Sequence, residues 1–388
     1  MGVRTPRRTQ FVPINTSAEP GSLRVAMVTA RSLPFMGGIE THVDEVAGRL
    51  AKRGIELTVL STDVTRKLPK FEKRDGVVTR RFPAWPKSKD YYVSPGLMQA
   101  LAKGSFDVVH VQGVHNAVPP LALAVAERHH MPCLITFHTG GNSSPFRNAI
   151  RGIQWRVEGP LLRRATQLVA VCEFEADLFA DALKIDRSQI ALVRNGSERL
   201  PRSDRAPEFA GTPLILSIGR LERYKGHHRA IAAMPAVLRR AAGARLVIVG
   251  HGPYEAALRE QVDQLGLSES VSFASYGPED RDLMGALVRS ANVAVLLSEY
   301  EAHPVAVMEA LAEGVDVVVA ATSGMTELGR DGLVTTVALE ISGEELAAVL
   351  LRVADEHRWS SGAPALPSWD DCADALAALY REVATCAS

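Results

Sequence analysis

Two glutamates eight positions apart, Glu301 and Glu309, stand in the stretch Ser298-Glu-Tyr-Glu-Ala-His-Pro-Val-Ala-Val-Met-Glu309. Carboxylates at such a spacing accept hydrogen bonds from hydroxyl groups, and their neighbours say where they would point. The apolar run Val293-Ala-Val-Leu-Leu297 reads as a buried strand. Pro304 and Val305 open a run of good helix formers that Gly314 closes, with proline at a helix start and glycine past its end. Glu301 then lies in the turn between strand and helix, and Glu309 lies within the helix. The helix start at Pro304 and Val305 offers backbone N–H groups and the positive end of the helix dipole, which suits a diphosphate. One carboxylate at the mouth and one along the helix would hold hydroxyls on either side of that diphosphate, the layout a nucleotide-sugar needs.

Other candidate groups follow the same strand-to-helix logic. In Ser217-Ile-Gly-Arg-Leu-Glu-Arg-Tyr-Lys-Gly226, Gly219 frees the turn, and Arg220 and Lys225 can both point into a cleft to neutralise a diphosphate. Gly37-Gly38-Ile-Glu40 joins the first strand to a long helix, where glycine lets backbone approach a ligand. It is not a dinucleotide fingerprint, because the glycine spacing is wrong. His138 precedes Gly140-Gly141 at a strand end and is a site candidate; His110, inside a strand, reads as packed. His115 and Asn116 could face an acceptor. Gly252, in His251-Gly-Pro-Tyr254, and Ser275, in Ser275-Tyr-Gly277, could border a nucleotide base. His227 and His228 have no ligand-spaced partner and read as surface residues.

Strand-like and helix-like patterns alternate throughout, which indicates parallel α/β layers. Strands are expected at 23–30, 55–61, 77–82, 106–111, 132–137, 167–171 and 190–193, then at 214–218, 245–249, 271–274, 293–297 and 315–320. The polar, proline-bearing stretch Leu200 to Pro213 interrupts the pattern and reads as a linker. The expected architecture is two doubly wound Rossmann-like domains facing each other across a cleft. A disordered arm is expected at 1–20, the first domain at 21–199, the linker at 200–212, the second domain at 213–365 and a terminal segment at 366–388 whose helix could return to the first domain. Ligands of such sheets bind at the carboxyl ends of the strands.

Composition excludes some partners. Lys+Arg and Asp+Glu both number 44, so nothing marks a general nucleic-acid binder. Cys133, Cys172, Cys372 and Cys386 form no C-x-x-C pair, which argues for reduced thiols and against zinc. Arg4, Arg7 and Arg8 are followed by no apolar run, so the start does not read as a secretory signal. No stretch approaches the roughly 18 apolar residues of a membrane span. A cytoplasmic protein is expected, with peripheral contact to a membrane left open.

Taken in order, Gly37-Gly-Ile-Glu40, the Thr-Phe-His ending at 138, Gly219-Arg-Leu-x-x-x-Lys-Gly226 and Glu301-x7-Glu309 make the chain resemble the retaining glycosyltransferases of family 4, which have the GT-B fold. The resemblance runs from about Leu23 to the terminal helix. It implies that Arg220 and Lys225 bind the donor diphosphate, that Glu309 holds the ribose hydroxyls, and that Glu301 contacts the donor sugar. It places the backbone at Gly38 on the phosphate from the opposite domain and His138 beside the transferred sugar. It implies no metal and no cofactor beyond the nucleotide-diphosphate sugar, UDP- or GDP-linked. It further implies front-face attack in which the leaving phosphate takes the acceptor's proton. The chain departs from the family pattern at Ala302-His-Pro304, where a Gly-Phe-Gly type of run is more usual, at Asp316, where proline is, and at Arg194-Asn-Gly196, where Pro-Asn-Gly is. The segment Gly324 to Val334 looks compressed.

A nucleotide-sugar epimerase, hydrolase or phosphorylase on the same scaffold is an alternative, as is a non-catalytic partner subunit. The last has no physical need for Arg220, Lys225, Glu301 and Glu309 together. The acceptor is open among a small molecule, a lipid carrier and a glycan. Trp85, Tyr91 and Tyr92 offer aromatic faces to it, and Lys87, Lys89 and the arginines of 147–164 are candidates for an anionic surface.

Overall fold

A computed structural model describes residues 22–86, 92–114, 116–139, 156, 158–359 and 362–386. The first half forms an eight-stranded sheet from β1 (Leu23–Thr29), β2 (Ile55–Asp63), β3 (Phe71–Arg74), β4 (Val77–Pro83), β5 (Val108–Gln112), β6 (Cys133–Thr136), β7 (Gln167–Ala170) and β8 (Ile190–Leu192). Its order is β3-β4-β2-β1-β5-β6-β7-β8. The second half forms a six-stranded sheet from β9 (Leu214–Ile218), β10 (Arg245–Val249), β11 (Val271–Ala274), β12 (Val293–Leu296), β13 (Asp316–Ala320) and β14 (Thr335–Val337), in the order β11-β10-β9-β12-β13-β14. Among the described strands, β3 alone runs antiparallel to its neighbour. Strand order reverses between β1 and β5 in one sheet and between β9 and β12 in the other. Each reversal opens a crevice at the carboxyl ends of the two strands, where open α/β sheets take their ligands.

The helices of the first half are α1 (Gly38–Lys52), α2 (Pro95–Lys103), α3 (Val118–Arg128) and α4 (Glu173–Leu183). Those of the second are α5 (His227–Arg240), α6 (Glu255–Gln264), α7 (Arg281–Ser290), α8 (Val305–Ala312), α9 (Met325–Arg330) and α10 (Gly343–Glu356); α11 (Trp369–Cys386) ends the chain. Parallel strands covered on both faces read as unbroken apolar runs, and β1 shows why. Successive side chains point to opposite faces. Val25 and Met27 pack with Val43, Val46 and Leu50 of α1 and with Leu376 and Tyr380 of α11. Ala26 and Val28 join the cluster on the other face with Leu97 of α2, Val118 of α3 and Phe179 of α4.

The last helix therefore belongs to the first sheet. Trp369, Cys372, Ala373, Leu376, Ala377, Tyr380 and Val383 are all buried, a three-and-four spacing that makes one apolar stripe. Tyr380 Oη reaches His110 Nδ1 at 2.6 Å, and His110 is fully buried, so it packs as expected. No helix or strand lies between the Ser197 bridge and β9. The chain crosses between the sheets twice, and the crossings lie side by side: Ser197 N donates to Pro367 O at 2.8 Å. A Cβ on Gly196 would stand 2.2 Å from Trp369 N, so only glycine admits this return.

Several expectations change. β3, α2, α4 and β14 are present without having been anticipated. Pro304 is the N-cap of α8 rather than its first residue. Tyr92 is buried and donates to Ala30 O at 3.2 Å, so it offers no face to a ligand, whereas Trp85 is exposed. Tyr91, His115, Gly140, Gly141, Lys87, Lys89, the arm at 1–20 and most of 147–164 lie outside the described residues. Cys133, Cys172 and Cys372 are free and buried. Among the described residues no helix is long and apolar enough to cross a membrane.

Candidate active site

The crevice between β9 and β12 gathers the charged candidates. After β9 the chain turns through Gly219 and a 3-10 turn at Arg223–Lys225, and Gly226, in the left-handed region at φ 78°, starts α5. After β12 the chain runs Ser298 to Pro304 into α8. The two loops are joined along their length. Glu299 N donates to Tyr224 O at 2.8 Å, and the Tyr224 and Tyr300 rings stack with centroids 4.4 Å apart. A Cβ at Gly226 would lie 2.0 Å from Leu297 O, so glycine is required for the approach.

That approach brings Lys225 Nζ onto Glu301 Oε1 in a short ion pair, and Ser298 Oγ donates to the same oxygen at 2.9 Å. Both side chains are largely buried. Burial is the largest influence and works against the Lys225 ammonium, but the Glu301 carboxylate together with Tyr224 outweighs it, so the net shift is upward and the lysine stays charged at neutral pH. Arg220 is half exposed on the same turn and pairs with Glu222 at 3.0 Å. Burial lowers the Arg220 pKa, but Tyr224, Glu222 and Glu40 together raise it by more, so the net shift is upward. Glu40 comes from the first domain. Burial raises its carboxyl pKa against its backbone bond and the pull of Arg31 and Arg220. Arg220 thus feels charge from across the cleft.

Glu309 is buried along α8, and Arg281, at the start of α7, donates to its Oε1 at 2.5 Å. Sequence reasoning did not find Arg281, because a pairing 28 residues away leaves no local signal. It also placed His227 on the surface, and this is corrected: His227 is fully buried, because the first residue of α5 faces β9. Its Nδ1 meets Ser217 Oγ at 2.8 Å and its Nε2 meets Arg220 O at 3.2 Å, holding the Arg220 turn. Burial lowers its pKa to about 4. His228 is partly buried, edge-on to Tyr254.

Gly252 lies against the same turn. A Cβ there would stand 2.4 Å from Leu221 O, so close backbone packing accounts for this glycine without a ligand. Ser275 is exposed at the end of β11, at the sheet's edge. Pro304 caps α8 and Val305 begins it; Val307 N already donates to Pro304 O at 3.1 Å, which leaves the amides of Val305 and Ala306 pointing out of the helix start.

From the first domain, Gly37 is extended at φ −178° and Gly38 begins α1, with open space where a Cβ of Gly38 would point. His138 is held at φ 54°, a conformation uncommon for a residue with a side chain and found at functional turns. Its Nε2 meets Gln112 Oε1 at 2.7 Å and its ring stands edge-on to His42, 4.6 Å between centroids. His42 Nδ1 meets Asn195 Oδ1 at 2.9 Å, and Asn195 Nδ2 donates to His303 O at 2.9 Å. The His138 turn is therefore linked to the loop that carries Glu301. A small cavity at the first sheet's own reversal is lined by Arg31, Glu40, Gln112, Gly113 and Asn116. Asn116 Oδ1 caps Val118 N at 2.9 Å.

Comparison with known proteins matches this arrangement. Residues 36–198 match the family described as Glycosyltransferase Family 4, and residues 202–357 match Glycosyl transferases group 1. The chain is 28% identical over 366 residues to a glycogen synthase of Mycobacterium tuberculosis, covering 86% of each chain. It is 27% identical over 303 residues to the GDP-mannose:cellobiosyl-diphosphopolyprenol alpha-mannosyltransferase of Xanthomonas oryzae pv. oryzae, covering 75% of this chain and 77% of that one. Its fold matches a sucrose-phosphate synthase structure from Thermosynechococcus elongatus with a TM-score of 0.74 and 21% identity, covering 94% of this chain and 100% of that one. With both domains matched in order and the GT-B arrangement shared, the chain belongs to glycosyltransferase family 4 and is a glycosyltransferase.

Proposed function

We propose that the protein moves a hexose-type sugar from a UDP- or GDP-linked donor to a hydroxyl acceptor with retention of configuration. The observation that carries this reading is the Lys225–Glu301 pair, with Ser298, at the strand-order reversal of the second sheet and beside the α8 N-terminus. Lys225, Arg220 and the amides of Val305 and Ala306 would receive the diphosphate. Glu309, steadied by Arg281, would accept from the ribose hydroxyls, and Glu301 from a hydroxyl of the sugar. The Gly37-Gly38 turn and His138 would close over the donor from the first domain. GDP-mannose in the name of the Xanthomonas relative supports a nucleotide-diphosphate donor.

In the transfer step the bond between the sugar C1 and the phosphate oxygen breaks as the acceptor oxygen attacks C1 from the same face. The acceptor proton passes to the departing phosphate. Lys225 and Arg220 stabilise the charge that develops there, and groups so placed before reaction cost no reorganisation during it. The reaction would then draw its charge stabilisation from this chain's own cations and need no added cofactor. The acceptor would be a small molecule, a lipid carrier or a glycan reaching the cleft from the first domain.

Thermal shift against UDP, GDP, ADP, TDP and CDP tests the donor side. A ligand at about 100 times its Kd raises stability by roughly 2.7 kcal/mol. The expected outcome is a rise in Tm with UDP or GDP that Lys225→Ala abolishes. A shift of equal size in Lys225→Ala, or none with any nucleotide at millimolar concentration, would refute the donor assignment. Retention is tested by the anomeric configuration of the product: an α-linked donor should give an α-linked product.

A further inference from the structure

The segment after β13 makes contacts that donor binding does not require. Thr322 Oγ1 donates to Ser298 O at 2.9 Å and Gly324 N donates to Glu301 O at 3.0 Å, so this segment holds the loop that carries Glu301. A Cβ at Gly324 would stand 1.8 Å from Ala302 O and 3.0 Å from Cys172 Sγ. The backbone there is pressed between the Glu301 loop and the first domain. Three residues on, Glu327 reaches across the junction. Its carboxylate oxygens accept from Glu173 N at 3.0 Å and Phe174 N at 2.5 Å, the first two amides of α4.

Those amides have no partner within their own helix. The residue at the α4 N-cap is Cys172, which makes no side-chain cap bond. A carboxylate from the opposite domain therefore does what a serine or aspartate N-cap ordinarily does, and the helix dipole favours its charge. The third residue of α4, Glu175, turns the other way. It is fully buried and accepts from Val171 N at 2.8 Å and from Thr139 N, the amide that follows His138. Ala302 packs against Val171, Cys172 and Phe174 at the same junction.

We propose that Glu327 is a positioning residue: by capping α4 from the opposite domain, it sets the register in which the Glu301 loop faces the His138 turn. One end of the connection is the backbone bond from Gly324 to Glu301, and the other is the grip of Glu175 on Thr139. The cap is complete only while the domains are together, because drawing them apart leaves two helix amides and a carboxylate without each other. Glutamine keeps one acceptor oxygen and alanine keeps none, so the two substitutions grade the effect. The inference rests on the proposed function only for which two loops matter; the contacts stand without it.

Hydrogen exchange and small-angle scattering on the full chain test this, with wild type, Glu327→Gln and Glu327→Ala compared. In Glu327→Ala, exchange at Glu173–Phe174, at Thr139 and at Gly324 should all accelerate tenfold or more, and the radius of gyration should rise. Glu327→Gln should fall between. Faster exchange confined to Glu173 and Phe174, with Thr139 and the scattering profile unchanged, would overturn the proposal. If Glu327→Ala does not fold, Glu327→Gln decides by the same two readings. Turnover of UDP-glucose or GDP-mannose adds a third: kcat should fall tenfold or more while nucleotide affinity stays within twofold, since Lys225, Arg220 and Glu309, the side chains proposed to hold the nucleotide, all lie in the second domain. A wild-type protein without turnover would count against the proposed function, and exchange and scattering would still judge this inference.

Discussion

Glu309 owes its orientation to one guanidinium. Arg281 holds Oε1, which leaves Oε2 for another donor, and the carboxylate is buried along α8. Arg281→Met would strand that charge. A hydrogen bond to a charged group is worth about 1.5–3 kcal/mol, so chemical denaturation should show a loss of that order. Nucleotide affinity should fall with it, read by the same thermal titration as for Lys225. A stability loss with nucleotide binding intact would separate Glu309 from the ribose. The pair also shows where sequence reasoning stops. Glu301, Glu309, Arg220 and Lys225 were legible because each lies within a few residues of a strand end or helix start, and local signals mark those. Arg281, His227 and Glu327 acquire their roles from partners that only folding brings near.

Among elements, the turn from β9 into α5 depends on backbone more than on side chains. Gly226 takes a left-handed φ and passes within contact of Leu297 O. Gly226→Ala would add both strain and a clash. Backbone effects of this kind are among the few that exceed ordinary mutational losses, so about 2–4 kcal/mol is expected. Urea denaturation should show it, together with loss of nucleotide binding, since the Lys225–Glu301 pair needs the two loops in contact. The long apolar strands were readable because burial on both faces writes an unbroken run. β3 was not: Phe-Glu-Lys-Arg is charged and largely exposed at a sheet edge. β14 has only three residues, too few to show a period. The helical stripe of α11 was plain, and its docking onto α1 and β5 was expected only as an option, since a stripe does not name the surface that covers it.

For the molecule as a whole, stability should peak near neutrality for reasons that can be signed. Burial lowers the pKa of His42, His227 and His303 to about 4 and that of His110 to about 3. The unfolded chain takes up these protons near about 6.5 and the folded chain does not, so stability is full above that pH and is lost as pH falls toward 4. Glu175 acts in the opposite sense. Burial raises its pKa to about 8, so the folded state keeps a proton that the unfolded state releases near 4.5. Its contribution is full below 4.5 and is lost as pH rises through 8. Urea midpoints measured from pH 4 to 9 should therefore pass through a maximum. The acid limb should be shallower in a protein carrying His303→Gln, and the alkaline limb shallower with Glu175→Gln.

The position of α11 has a consequence for synthesis on the ribosome. α1 and β1 emerge first, yet the helix that covers Val25, Met27 and Leu50 is made some 330 residues later, at Trp369–Cys386. At about 5–20 residues per second, that leaves roughly a quarter of a minute to a minute in which α1 alone covers that face of the nascent first sheet. The second sheet has no such debt to the far end of the chain and can close as soon as it is extruded. The domain translated first is thus finished only when Trp369–Cys386 emerges, and until then the apolar residues that helix covers stay open to solvent.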